Sequence, residues 1–379
     1  MAQAHVNSDI LSWARNRARL STSVLAEKLH VKEEKLQGWE AGEEKPTFRQ
    51  AQDFAHHTHI PFGYLFLNTP PADELPIPDL RTIGSHGPLE ISLDLRDTVR
   101  EVIRRQLWYR EYQIDQGRDP IAVVGSVSPS MSVMSIVENM RSHLGVGRWP
   151  DRGRWDAYFN DLLHRIEALG ILVMRSSMVG SNTRRILSVK EFRGFAIADG
   201  YAPVIFINTS DCPEARLFTL LHELTHIWLG ESGVSDGEYG SHRKVEKICN
   251  AVAAEFLVPE DEFKKRWNNS EEWRWNVGVL ASHFHVSQWV SARRAMDLGY
   301  IDFEEYQGFI SQRLADYKAI ERDGAPRYSL LQTLKVSKRL VMAVTSEALS
   351  GRILLRDAGQ LIGIKPHKLA EYARQELGI

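Results

Sequence analysis

The chain has 379 residues, with 47 Lys and Arg against 49 Asp and Glu and a formal net charge of −2. Hydrophobic residues make up 43% and charged residues 25%, an ordinary globular balance that excludes wholesale disorder, and the length asks for two or three domains rather than one core. No apolar run approaches the ~18–20 residues of a membrane span, the polar start Met1–Asn7 has no secretion-signal segment, and Cys212 and Cys249 alone cannot build a disulfide framework. The expectation is a cytoplasmic protein with no membrane partner. The near-zero charge excludes a uniformly basic nucleic-acid protein, but not a local DNA-binding module.

Residues 8–67 carry helical apolar spacing broken at turn signals, and 21–42 fit a helix-turn-helix register. Ala26 is the small residue where two helices touch. Leu29, Val31, Leu36 and Trp39 are the apolar positions that lock the pair, and Glu40-Ala41-Gly42 closes the second helix. This stretch resembles the Cro/repressor-type helix-turn-helix family, whose five-helix layout matches 8–67. It departs at His30, which holds the turn position where glycine usually relieves a left-handed backbone. It departs again at Thr22-Ser23, where a phosphate-contacting glutamine is common. The resemblance implies a double-stranded DNA operator as partner, read by a helix from about Lys32 to Trp39. Lys32, Lys35, Gln37 and Thr22 are the candidate contacts. Glu33 and Glu34 near the start of that helix repel phosphate. Residues 1–67 hold eight Lys/Arg and eight Asp/Glu, so one copy has little phosphate-neutralising charge and a homodimer is expected. The alternative is a protein-binding or dimerisation module.

Residues 68–95 contain Pro70, Pro71, Pro76, Pro78 and Pro88 with little periodicity, and read as an extended linker. Residues 96–300 mix helices and strands. Asp97–Gln113 and Trp155–Leu169 have helical spacing; Ile171–Arg175, Gly194–Ala198 and Pro203–Ile207 read as strands. A helix is expected to start near Asp211, with Asp211 and Glu214 as a capping box and Pro213 in its first turn, and to stop at Gly230. A second helix is expected from about Arg243 to Val258, ended by Pro259.

The first of these helices contains His222-Glu223-Leu224-Thr225-His226. Histidines four apart project from one face and can share a metal ion. Zinc suits neutral imidazole and leaves a position for water, whose proton Glu223 is placed to accept and to hand to a leaving amine. A further protein ligand is needed. Glu246 lies twenty residues after His226 on the next helix, and Glu255, nine residues on, is the weaker candidate. Cys249, one turn after Glu246, is either a buried apolar-like residue or a fourth, inhibitory ligand. Arg216, nearly two turns before His222, is expected to face solvent or a carboxylate. Tyr239 and His242, between the two helices, are candidate oxyanion donors; a solvated loop is the competing reading.

The run Leu221 to His226, followed by Glu246-x-x-Cys249-Asn250-Ala251-Val252-Ala253-Ala254-Glu255-Phe256-Leu257-Val258-Pro259, resembles the ImmA/IrrE family of zinc metallopeptidases. Arg193 to Ala196 and Pro203 to Asn208 are similar to the same family, and so is the linker run Leu75 to Arg81. The resemblance implies zinc as cofactor, His222, His226 and Glu246 as its ligands, and Glu223 as general base. It further implies a regulator that relieves repression by cleaving a partner repressor, or an antitoxin.

Residues 301–379 return to a helical pattern. Leu280–Gly299 has a second helix-turn-helix look, though a hairpin completing the peptidase domain is preferred. Residues 355–376 repeat the idea through Gly359, Ile362, Gly363, Ile364, Leu369 and Tyr372. Segment 327–379 holds nine Lys/Arg and four Asp/Glu, a net +5, which suits a second nucleic-acid contact or a docking hairpin. The whole reads as a multidomain α+β protein. It has an all-α helix-turn-helix head (1–67), a linker (68–95), an α+β zincin-like metallopeptidase domain with a small sheet (96–300) and a helical C-terminal region (301–379). The expected function is a DNA-binding transcriptional regulator whose zinc-dependent peptidase domain cleaves a partner repressor or toxin. The alternative is a non-proteolytic, autorepressing antitoxin whose zinc domain is a scaffold for a cognate toxin such as a PIN-like nuclease.

Overall fold

The computed structural model describes residues 2–71, 91–235, 244–321 and 336–374. The linker run Leu75–Arg81 and the candidate donors Tyr239 and His242 lie outside the described residues. The chain divides into two compact units, Met1–Glu74 and Leu75–Ile379.

The first unit is all helical: α1 (Ser8–Arg17), α2 (Thr22–Lys28), α3 (Glu33–Ala41), α4 (Phe48–His57) and a 3-10 turn, Phe62–Phe66. The last piece follows Pro61 and contains Gly63, and its five residues wind as 3-10 rather than α. Ser21 accepts from the Val24 N–H to start α2, and Thr47 with Gln50 forms a capping box on α4. Ile10, Leu11, Leu25, Ala26, Leu36, Trp39 and Phe54 form the core. Leu29 and Val31 pack only partly against it. His30 takes φ 54°, the left-handed conformation expected at the α2–α3 turn.

In the second unit, α5 (Leu93–Asp115), α6 (Val133–Leu144) and α7 (Trp155–Ala168) precede β1 (Leu172–Ser176), β2 (Gly194–Ile197) and β3 (Val204–Asn208). Then come α8 (Pro213–Leu229), the three-residue β4 (Gly233–Ser235), α9 (Lys244–Leu257), α10 (Glu260–Arg266), α11 (Trp273–Phe284), α12 (Gln288–Asp297) and α13 (Phe303–Glu321). The described residues end in α14 (Lys338–Leu349), α15 (Leu355–Ile362) and the short α16 (Leu369–Tyr372). The sheet order is β1-β3-β2-β4, with β1 parallel to β3 and the other pairs antiparallel.

Strand alternation sorts the sheet into two cores. On β3, Ile205 and Ile207 join the helices α6 to α13, whereas Val204 and Phe206 join α5 and the C-terminal helices. This is a multidomain α+β fold with helical ends. The α11–α12 pair supplies Leu280, Phe284, Val290, Ala292 and Ala295 to the same core as α8, so this second helix-turn-helix look-alike is a hairpin of the domain. At 355–376, Gly359 sits where a Cβ would lie 2.6 Å from the Ile364 carbonyl oxygen, the small position of the pattern. After α15 the described residues include a 3-10 turn, Pro366–Lys368, and the short α16.

Two local expectations are corrected. Cys212, not Asp211, is the N-cap of α8 and gives it no side-chain bond; Asp211 instead pairs with Arg193 at 2.6 Å. Arg216 does not face solvent or a carboxylate. It is 6% exposed, and its Nε and Nη2 donate to the carbonyls of Asp211 and Thr209 at 2.8 and 2.5 Å, tying the β3–α8 connection to the first turn of the helix.

Candidate metal centre

Helix α8 is apolar nearly all round because it is covered on every side; each residue from Arg216 to Leu229 is buried. Gly230, at φ 74°, ends it with a left-handed cap. Beyond its first turn, three ionisable side chains inside this buried helix need a reason to be there. They are His222, Glu223 and His226, exposed by 4, 0 and 2%.

The two histidines bring their Nε2 atoms to 3.3 Å of each other. The Glu246 carboxylate of α9 closes the group, Oε2 lying 3.1 Å from His222 Nε2 and Oε1 3.2 Å from His226 Nε2. A tetrahedral ion with bonds of about 2.0–2.1 Å sets its donors about 3.3–3.4 Å apart. The observed spacings fit that requirement, and two imidazole nitrogens with one carboxylate suit zinc or a similar divalent ion. Electrostatics agree. Burial alone would raise the Glu246 carboxyl, yet hydrogen bonds and charge from His222 and His226 hold it far below the usual carboxylate range. Burial would lower His226, yet Cys249, Glu246 and Glu223 push it well above an ordinary imidazole. The cluster favours positive charge at its centre.

Sequence reasoning missed two supports. His222 Nδ1 lies 3.0 Å from Asn250 Oδ1; donation there leaves Nε2 as the lone-pair nitrogen facing the cluster. The motif contained Asn250, and its position four residues after Glu246 was the available signal. The other support is Gly194 on β2. A Cβ there would stand 2.6 Å from Thr219 Cγ2, 2.9 Å from Glu223 Oε1 and 2.9 Å from the Phe206 carbonyl. The sheet therefore meets α8 across a bare backbone, with the Glu223 carboxylate against it.

Cys249 is fully buried, and its Sγ lies with His222 and His226 ligand nitrogens in a group whose members are all within 4.8 Å of one another. Glu255 is elsewhere engaged: it pairs with Arg294 and accepts from the Glu260 N–H at 3.2 Å. In the first unit Lys32, the N-cap of α3, and Lys35 and Gln37 on that helix are exposed. The Thr22 hydroxyl donates to Glu33 Oε1 at 2.6 Å, which fixes a carboxylate at the start of that helix.

Among the described residues no helix is long and apolar enough to cross a membrane. No match is found among curated proteins. Residues 336–375 match a family described as a domain of unknown function (DUF8813). Residues 166–296, from the end of α7 into α12 and including His222, Glu223, His226 and Glu246, match the IrrE N-terminal-like domain, a metallopeptidase family (Peptidase_M78).

Proposed function

We propose that this protein is a DNA-binding regulator whose second unit hydrolyses a peptide bond in a protein partner, a repressor or a toxin, with zinc as the ion. The observation that carries the reading is the convergence of two imidazole Nε2 atoms and the Glu246 carboxylate beside the buried Glu223. His222, His226 and Glu246 would hold the ion. When bound, it supplies a Lewis acid and lowers the pKa of water. Glu223, held against the Gly194 backbone of β2, accepts the proton from the attacking water at its carboxylate and returns it to the leaving amine. Asn250 keeps His222 in the tautomer the ion requires. Lys32, Lys35 and Gln37 present the DNA-facing side of α3, in a homodimer that doubles their phosphate contacts.

Cys249 favours a second reading. A thiolate added to two histidines and a glutamate would complete four protein ligands, the arrangement of a structural rather than a catalytic ion. The protein would then be an antitoxin that grips its toxin without cutting it. Glu223→Gln and Cys249→Ala separate the two in a cleavage assay against the product of the neighbouring gene. The peptidase reading predicts that Glu223→Gln keeps the metal and loses cleavage by about a hundredfold or more, while Cys249→Ala retains or raises it. Absence of cleavage in both wild type and Cys249→Ala, with partner binding intact in Glu223→Gln, establishes the scaffold instead.

A further inference from the structure

A cavity of about 680 Å³ opens at the free edge of the sheet, beside β1, and takes no residue from the metal cluster. Helix α7 forms one wall; α5 and the helices of the 336–374 segment form the other. Its two acids are already engaged. Glu101 pairs with Arg105 at 2.7 Å, and Glu167 Oε1 accepts from the Lys338 backbone N–H at 3.2 Å. Its two arginines are matched less completely. Arg175, projecting from β1, has no carboxylate within ion-pair distance and no side-chain hydrogen bond among the described residues; it meets the face of Phe159, 5.6 Å from Cζ to the ring centroid, and feels the Glu167 charge only without direct contact. Arg105 is 1% exposed. Its Nε donates to the Leu361 carbonyl and its Nη2 to Glu101, yet its Nη1 has no hydrogen-bond partner. A buried guanidinium nitrogen without an acceptor is costly, as is a half-buried guanidinium with no carboxylate in direct contact.

The backbone adds donors. Leu172 N–H bonds to the Pro203 carbonyl, and the Ser176 carbonyl accepts from Thr209 N–H. In a parallel ladder the even-numbered residues of β1 therefore serve β3, and Val173 and Arg175, both on the cavity wall, turn their peptide groups to the open side. A guanidinium, free N–H groups and a volume within the range of small-molecule sites make a receptor for an oxyanion.

We propose that this cavity binds a small organic anion, a phosphate monoester or a carboxylate of up to nucleotide size, through Arg175 and the outer edge of β1. Because one wall belongs to the 336–374 segment, such a ligand bridges that segment to the sheet. Inorganic phosphate, adenosine monophosphate and citrate, titrated calorimetrically into the full chain at constant ionic strength, test the idea and separate the two anion sources. At least one probe should bind saturably, and Arg175→Gln should weaken it about tenfold or more with metal content unchanged. Ser181→Asp, an exposed change on the cavity wall that leaves the fold alone, should weaken the same probe by repulsion. Failure of all three probes to saturate by about 10 mM, or binding indifferent to both substitutions, overturns the proposal.

Discussion

Two hairpins in this chain share a sequence pattern and a turn but not a fate. Val24-Leu25-Ala26 leads through Leu29 to His30-Val31, and Val279-Leu280-Ala281 leads through Phe284 to His285-Val286. The backbones agree: His30 and His285 take φ 54° and 57°. Val31 N–H bonds to Ala26 O, and Val286 N–H to Ala281 O, both at 3.0 Å. Burial agrees too, with Leu25 and Leu280 inside and Val24 and Val279 outside at 41 and 45%. The second helices then diverge. Counting from the histidine, exposed Lys35 and Gln37 stand where the other hairpin has buried Val290 and Ala292. The local motif specifies a hairpin; what its second helix faces decides whether it can read a partner or must complete a core.

The difference can be broken at the matched positions. Ala292→Asp places a carboxylate in a fully buried site and should cost about 4 kcal/mol or more, enough to unfold the second unit. Gln37→Asp should stay within about 0.5 kcal/mol of wild type while weakening the operator binding proposed for α3. Chemical denaturation and a DNA titration at fixed salt check the pair; equal destabilisation would erase the distinction.

The next effect concerns what anchors the buried hairpin. Glu262 receives Arg152 at 3.0 Å and His283 of α11 at 2.8 Å, whereas the matching residue of the first hairpin is exposed Lys28. Arg152→Met leaves Glu262 buried without its main partner and should cost about 3–4 kcal/mol. Burial alone would raise the Glu262 carboxyl, but hydrogen bonds from Arg152, His283 and Arg266 bring it below its ordinary value. A depressed folded pKa contributes stability above the unfolded value, about 4.3, and loses it as pH falls through the folded one. Acid unfolding followed by circular dichroism should begin at higher pH in Arg152→Met.

Gly194→Ala should cost about 1–3 kcal/mol by overpacking β2 against α8. It should also reduce bound metal, because the added methyl meets Glu223 and Thr219 first; unchanged metal content would show that α8 can retreat from the sheet. The smallest effect lies in the turns. His30→Gly should stabilise by up to about 1 kcal/mol through relief of left-handed strain. His285→Gly should gain less, since His285 Nε2 also meets the Gly153 carbonyl at 2.9 Å. Thermal melts of both variants compare them directly.

The cluster of His222, His226 and Glu246 is legible in the sequence because the chemistry proposed for it demands particular residue types at spacings the helix enforces. His222 and His226 have to share a face, and Gly230 and Pro259 mark where the two helices stop. Helix α6 and strand β4 are not. Strand β4 has three residues, too few for a period, and is held by pairing with β2. Arg216 misleads because an arginine on an apolar helix suggests solvent, whereas open carbonyls of the β3–α8 connection need donors. The approach of Gly194 to Glu223 depends on how a sheet meets a helix, a tertiary fact without local signature.

The central claim is that one divalent ion is held by His222, His226 and Glu246, and stoichiometric zinc titration of the metal-free full chain tests it most directly. The account predicts one tightly bound zinc per chain, with His222→Ala, His226→Ala and Glu246→Ala each weakening binding by about a hundredfold or more while Glu223→Gln leaves it within a few-fold. Absence of stoichiometric binding, or affinity insensitive to all three ligand substitutions, would contradict it.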